Sequence, residues 1–192
     1  MSGTRDIGDE QRLLQLARQL DEAALTTIFD RYYEPLYRYA HRHLGIATAA
    51  EDLVAEVFQS FLEELKIQRG PSTNLKGWLY RVAHNLIVDD ARRNKHRIHE
   101  PLDENLHGIE EEELPDTLQG SVAKQLTERA LAQLTDKQRD VLVLRYIQGL
   151  DIDEVAQALN MTQGTVKSLQ FRGLEAMRRY LKENGIKNEM DL

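Results

Sequence analysis

The chain has 192 residues, is 41% hydrophobic and 30% charged, and carries 25 Lys+Arg against 32 Asp+Glu with no cysteine. That length suits one ordinary domain or two small ones, and the missing thiol excludes disulfide frameworks, thiolate zinc sites and cysteine nucleophiles. No apolar run nears the ~20 residues of a bilayer span, and the opening MSGTRDIGDEQRLLQLARQ holds no continuous apolar stretch, so neither membrane insertion nor a secretory leader is expected.

Periodicity predicts helices along the whole first half. Residues 10–20 read as a short helix. Over 22–44, Leu25, Ile28, Phe29, Tyr32, Tyr33, Leu36, Tyr37 and Ala40 recur at the spacing of one buried helical face. Pro35 should kink or split that helix, and Gly45 should stop it. Over 48–66 the same spacing is kept by Ala50, Leu53, Val54, Val57, Phe58, Phe61, Leu62 and Leu65, with Thr48 and Glu51 placed for a capping box. Residues 67–74, IQRGPSTN, are a loop by composition.

Residues 75–95 form a further helix, with Leu75, Leu79, Val82 and Leu86 expected in the core. At about 100° per residue, Arg81, Asn85, Val88, Arg92 and Lys95 fall in a second stripe, flanked by His84 and His96, with Trp78 at the seam. The stripe suits a solvated surface helix. It also suits a nucleic-acid face, with cations for phosphates, amides for base edges and an aromatic for unpaired bases.

Charge is unevenly spread. Residues 98–117 hold eight acids and no Lys or Arg, whereas the remainder has 25 positive and 24 negative charges. Lys76–Arg97 carries six Lys/Arg against two Asp, and Thr165–Lys182 carries five against one Glu. Distribution rather than net charge sets local partners. The acidic stretch, with Pro101, Gly108 and Pro115, reads as an extended linker between two helical halves.

The second half, 121–184, is helical too. Leu126, Ala130, Leu131 and Leu134 share a face; Thr135 or Asp136 caps the next helix, containing Val141, Leu142, Leu144, Arg145 and Tyr146; Gly149 ends it. The run 151–180, DIDEVAQALNMTQGTVKSLQFRGLEAMRRY, is the most specific pattern. Val155, Ala156 and Leu159 face inward, Asn160 suits a left-handed turn, Thr162 caps a second helix, and Val166 and Leu169 turn inward. This is helix-turn-helix spacing, in which the second helix enters the major groove. Its outward positions are Gln163, Thr165, Lys167, Ser168, Gln170, Phe171 and Arg172, mostly side chains that reach phosphates or base edges. A packing-only helical hairpin would show the same inward residues.

From residue 22 to 182 the chain resembles an extracytoplasmic-function (ECF) sigma factor of the sigma-70 family. LTTIFDRYYEPLYRYAHRHLG resembles the first helices of sigma region two, and AEDLVAEVFQSFLEEL at 50–65 the helix that docks on core RNA polymerase. LKGWLYRVAHNLIVDDARRNKHR at 75–97 resembles the −10-reading and melting segment. LTDKQRDVLVLRYIQGLDIDEVAQALNMTQGTVKSLQFRGLEAMRRYL at 134–181 resembles region four, which reads the −35 element. Ala55 stands where members often have glutamine, and Asn160 where a turn glycine is usual. Leu169-Gln170-Phe171-Arg172 replaces a common Arg-Leu-His-Arg, which puts the −35 preference in question.

The resemblance implies an all-α protein of two small helical domains joined by an acidic linker. Residues 1–20 would be an N-terminal extension, 21–97 region two, 98–120 the linker, 121–184 region four and 185–192 a tail. It implies a cytoplasmic, non-enzymatic transcription initiation factor, without cofactor or metal, that directs core polymerase to −35/−10 promoters of an alternative regulon and helps melt the −10 element. Asp52, Glu56 and Gln59 would meet the clamp helices of the largest polymerase subunit, while region four rests on the flap of the second largest. Trp78, Arg81, Asn85, Arg92 and Lys95 would contact −10 DNA, with the loop Ile67–Asn74 cradling a flipped base. Gln163, Thr165, Lys167, Ser168, Gln170, Phe171 and Arg172 would contact −35 DNA. Many members of the family are held inactive by an anti-sigma factor, a partner that the sequence of this chain neither assigns nor excludes. The linker would occupy polymerase channels as a nucleic-acid mimic.

Three other classes compete. A stand-alone helix-turn-helix regulator would bind a palindrome as a dimer. A metal enzyme is disfavoured because His41 and His43 are two apart and HExxH is absent. A polymerase-binding adaptor would need neither the basic stripe nor the outward face of 163–172.

Overall fold

The structure, a computed structural model, describes residues 3–97 and 126–184. Every regular element among them is helical, and no helix of the described residues is long and apolar enough to cross a membrane. The chain divides into two compact units, each described by itself. The linker segment 98–120 and the tail 185–192 lie outside the described residues.

The first unit holds α1 (Gly3–Ala17), α2 (Glu22–Leu44), α3 (Ala47–Lys66) and α4 (Leu75–Arg97). α1 is longer than the short helix expected over 10–20, and its Leu14 and Ala17 are fully buried. Asp21 caps α2 by accepting from the Ala24 amide at 2.8 Å. Gly45, at φ +70°, closes α2 with its amide on the His41 carbonyl, as its position in the sequence required.

Pro35 does not split α2, which runs unbroken through it. Proline removes one helical hydrogen bond, and the carbonyl left over belongs to exposed Arg31, where solvent can take it. Buried Tyr32 and Leu36 hold both sides of the site in register. The buried face is also rotated from the expected one. It comprises Ala24, Ile28, Tyr32, Leu36, Tyr39 and Ala40. Phe29, Tyr33 and Tyr37 instead form an i, i+4 ladder along the flank, with centroids 5.2 and 6.4 Å apart and Phe29 44% exposed. Aromatic rings gain enough from one another to sit half-buried at a rim.

The expected Thr48–Glu51 capping box is absent. α3 starts at Ala47, with extended Ile46 in the cap position and no side-chain cap bond. Gly45 ends α2 so close by that only Ile46 remains to turn the chain, which puts Thr48 inside the first turn. The α3 core face is as expected except for Leu62, which is exposed.

α4 departs further. Its buried residues are Leu75, Leu79, Tyr80, Ala83 and Ile87, whereas Val82 and Leu86 are only half-buried. Tyr80 and Ala83 carry weak hydropathy, so a stripe drawn through the aliphatic residues is turned away from the packed face. Tyr80 meets Tyr39 edge-on at 5.3 Å, which fixes the rotation.

The second unit holds a helical stretch over 126–132 (α5), α6 (Asp136–Leu142), α7 (Ile152–Ala158) and α8 (Gln163–Glu183). Thr135 caps α6, its amide donating to Gln138 Oε1 at 3.1 Å. α6 runs on as a π-turn over Val143–Ile147 before Gly149 at φ +65°. That wider turn was not foreseen; it leaves Tyr146 and Ile147 exposed while Val143 and Leu144 stay buried. Arg139 ties α6 to the end of α5 through the Leu131 and Leu134 carbonyls at 3.0 and 3.2 Å. α6 packs on α8 at Gly173, where an added Cβ would lie 3.0 Å from Leu142 Cδ1.

Candidate functional site

In the first unit α3 and α4 flank an open groove of about 340 Å³, lined by Ser60, Glu64, Arg69, Trp78, Arg81, Val82, Asn85 and Leu86. Three expected residues, Trp78, Arg81 and Asn85, therefore share one surface. Trp78 is half-buried, its ring tilted on Phe61 at 5.7 Å between centroids, so one edge is anchored while the groove stays open. Arg81 and Asn85 are exposed one turn apart. Such a surface offers a cation, a base-edge amide and a ring.

Arg92 lies further along the same stripe, exposed, with Asp89 at 3.4 Å. Lys95 belongs to α4, but its side chain is outside the described residues, as is that of His96. His84 does not flank an open stripe. It turns inward to the Tyr39 hydroxyl at 3.1 Å, and burial holds its imidazole below the usual value.

The loop Ile67–Asn74 forms one end of the groove through Arg69. Asn74 caps α4, its Oδ1 accepting from the Gly77 amide at 2.9 Å. A Cβ at Gly77 would meet that same Oδ1 at 2.7 Å, so glycine makes room for the cap. Arg69 belongs to the loop expected there, whereas Ser60 and Glu64 escaped the sequence reading. These two sit at i, i+4 on α3 and become groove residues only once the α3–α4 pairing is known.

In the second unit the helix-turn-helix has its expected local chemistry. Asn160 takes φ +50°. Thr162 caps α8 by accepting from the Thr165 amide at 3.2 Å. Asp151 and Glu154 form a reciprocal box at the start of α7, at 2.6 and 2.8 Å. Val155, Ala156, Leu159 and Val166 are buried, whereas Leu169 is only half-buried. The fully buried positions on α8 are Val166 and Gly173, so close approach at Gly173 replaces a bulky inward residue.

Gln163, Thr165, Lys167, Ser168, Phe171 and Arg172 are all exposed. Gln163 Nε2 bonds to Asp153 on α7, which fixes the start of α8 against its partner helix. Arg172 folds back on Ser168, to its carbonyl at 3.3 Å and its Oγ at 3.0 Å. Phe171 is 68% exposed between these polar neighbours. Gln170 is the exception among the expected outward residues. It is half-buried, donating to the Tyr146 hydroxyl at 2.9 Å, because the π-turn brings Tyr146 over this side of α8.

On α3, Asp52, Glu56 and Gln59 are exposed along one side. Gln59 Nε2 donates to Glu63 Oε1 at 2.9 Å, which extends the row by a further acid. The row is suited to a basic protein surface.

Comparisons with known proteins divide the chain in the same way. The Sigma-70 region 2 family matches residues 28–97, and the Sigma-70, region 4 family matches residues 130–179. The ECF RNA polymerase sigma factor SigW of Bacillus subtilis is 32% identical over 187 residues, covering 90% of this chain and 97% of SigW. The ECF RNA polymerase sigma factor BldN of Streptomyces coelicolor is 28% identical over 180 residues, covering 92% of this chain and 68% of BldN. In fold the chain is similar to CnrH, solved with the cytosolic domain of CnrY, at a TM-score of 0.64 and 20% identity over 91% of this chain and 98% of CnrH. It is similar also to the sigma factor RpoE, solved with the anti-sigma factor NepR from Bartonella quintana, at 0.63 and 22% over 82% and 96%.

Proposed function

We infer the working arrangement of this protein from its family: the chain belongs to the ECF group of sigma-70 factors, the transcription initiation factors of alternative regulons. Its partners are core RNA polymerase and promoter DNA. In this reading residues 21–97 act as region two and 121–184 as region four, with 98–120 as the tether, and the protein works in the cytoplasm without catalysing a reaction itself.

Asp52, Glu56 and Gln59, joined by Glu63, form the face for the polymerase clamp helices. Trp78, Arg81 and Asn85 receive the displaced −10 strand in the groove, with Arg92 and Lys95 on flanking phosphates. Gln163, Thr165, Lys167, Ser168, Phe171 and Arg172 face the −35 major groove. Gln170 supports α8 from behind. An anti-sigma factor would regulate the protein by covering one of these faces.

The observation that carries this reading is the coincidence of Trp78, Arg81 and Asn85 in one open groove of the first unit, with an exposed, capped recognition helix in the second. Unstacking a base costs a few kcal/mol, which ring and pocket contacts must offset. Two tethered readers add avidity and sense spacing as well as sequence.

The test is in vitro transcription of sheared genomic DNA by bacterial core polymerase, with and without the protein, mapping RNA 5′ ends. New starts sharing two upstream elements are expected. Co-elution with core but no new starts would leave an adaptor; neither would leave a stand-alone DNA-binding protein.

A further inference from the structure

α1 lies ahead of the region 2 match, which begins at residue 28, yet it grips the loop that ends the groove. Arg18, just past its C-terminus, donates from Nη1 to the Gly70 carbonyl at 3.0 Å and to the Pro71 carbonyl at 3.3 Å. Gly70 and Pro71 are the buried residues of the loop. Gln68 Nε2 returns a bond to the Arg18 carbonyl at 3.3 Å. At the far end of the loop, Glu10 Oε1 accepts from the Leu75 amide at 3.1 Å, while its Oε2 accepts from the Tyr32 hydroxyl at 2.8 Å.

The loop needs such restraint. Gln68 takes left-handed backbone at φ +58°, which a side chain of that kind holds only when its surroundings over-determine it, and Asn74 takes it at φ +52°, where asparagine is at ease. The Arg69 and Gly70 amides both donate to the Glu64 carbonyl, at 2.9 and 3.0 Å, so the chain turns sharply where Arg69 enters the groove. Arg18 holds the next two carbonyls. Glu10 places a carboxylate on the first amide of α4, where a helix favours negative charge, and joins that end to α2. One helix thus fastens the loop at its middle and at its exit.

We propose that α1 is a positioning element for the groove, with Arg18 and Glu10 setting the shape of the loop Ile67–Asn74 and through it the pose of Arg69. The proposal rests on the reading of that loop as the receiver of an unstacked −10 base. A receiver must be pre-shaped, because a loop that orders only on binding loses affinity and selectivity.

The test uses full-length protein assembled with core polymerase. Binding to forked −10 probes is measured with each base substituted in turn at each −10 position, for wild type, Arg18→Ala, Arg18→Lys and Glu10→Gln. Amide exchange is followed at Arg69 and Gly70. Arg18→Ala should lose several-fold discrimination at one −10 position and leave the others unchanged. Its Arg69 and Gly70 amides should exchange faster while α2 and α3 keep their protection. Arg18→Lys, which retains a donor, should recover most of the discrimination.

An unchanged discrimination profile in Arg18→Ala overturns the proposal. So does uniform loss at every position together with faster exchange throughout the first unit, which marks mere destabilisation. If wild type itself shows no −10 base preference, the loop reading fails first and the proposal goes with it.

Discussion

The Tyr39 hydroxyl meets His84 Nδ1 at 3.1 Å, which joins α2 to α4 inside the first unit. Burial keeps the His84 imidazole below 6.5, so the folded unit favours the neutral ring. An unfolded chain takes up a proton as pH falls through 6.5 and the folded one resists, so this pair loses stability on acidification. Asp140 in the second unit has the opposite sign. Burial first, then the Asp136 carboxylate, push it up to about 6 against the opposing pull of Arg139. Between that value and 3.8 the folded unit holds a proton the unfolded chain has released, so its contribution grows on acidification. The single tryptophan, Trp78, reports the first unit, and amide exchange in α6 the second. Below 6.5 the first should weaken as the second strengthens, with Asp140→Asn flattening only the second.

Asn74 serves α4 twice, by its cap to the Gly77 amide and by its left-handed backbone. Asn74→Ala should cost about 1–2 kcal/mol, since it removes the cap and strains the backbone. Asn74→Gly keeps the backbone free and should cost less. Thermal unfolding followed by Trp78 fluorescence orders the pair, and an equal loss in both would assign the whole effect to the cap.

Lys167 and Phe171 stand one turn apart on the exposed face of α8 and should fail differently. Lys167→Ala should weaken −35 binding for every sequence and reduce the salt slope by about one. Phe171 has no hydrogen bond to give, and an apolar side chain in the major groove reads the thymine methyl. Phe171→Ala should keep the salt slope and lose discrimination at one base pair, by up to the roughly 1–3 kcal/mol of a mismatch. Replacing thymine by deoxyuracil in the probe should mimic the mutation, and a wild type indifferent to that replacement at every position would refute the role.

The acidic row on α3 should act through charge. Glu56→Lys should slow association with core polymerase, most at low salt, and leave thermal stability within about 0.5 kcal/mol because the side chain is exposed. Stopped-flow association at two ionic strengths measures this. A salt-independent effect would point to lost packing instead.

What the residues determined unaided is local. Asn160 takes its left-handed turn, Gly45 its stop and Thr162 its cap because each depends on backbone within one helical turn. The motif order from 50 to 181 carried the family, since matching segments in sequence need no knowledge of packing. Which face of a helix is buried was decided by its neighbours. Tyr80 entered the α4 core because Tyr39 lies opposite, with Ala83 on the same face, and Phe29, Tyr33 and Tyr37 lie along the rim in ring contact with one another and, for Phe29, with Phe58. Gln170 turned inward because a π-turn, absent from any 3.6-residue pattern, carried Tyr146 over it. Arg18 and Glu10 lie 52 and 65 residues from the groups they hold, Gly70 and Leu75. A hydrogen bond across that separation leaves no trace in local periodicity, so only the folded chain places α1 beside the groove.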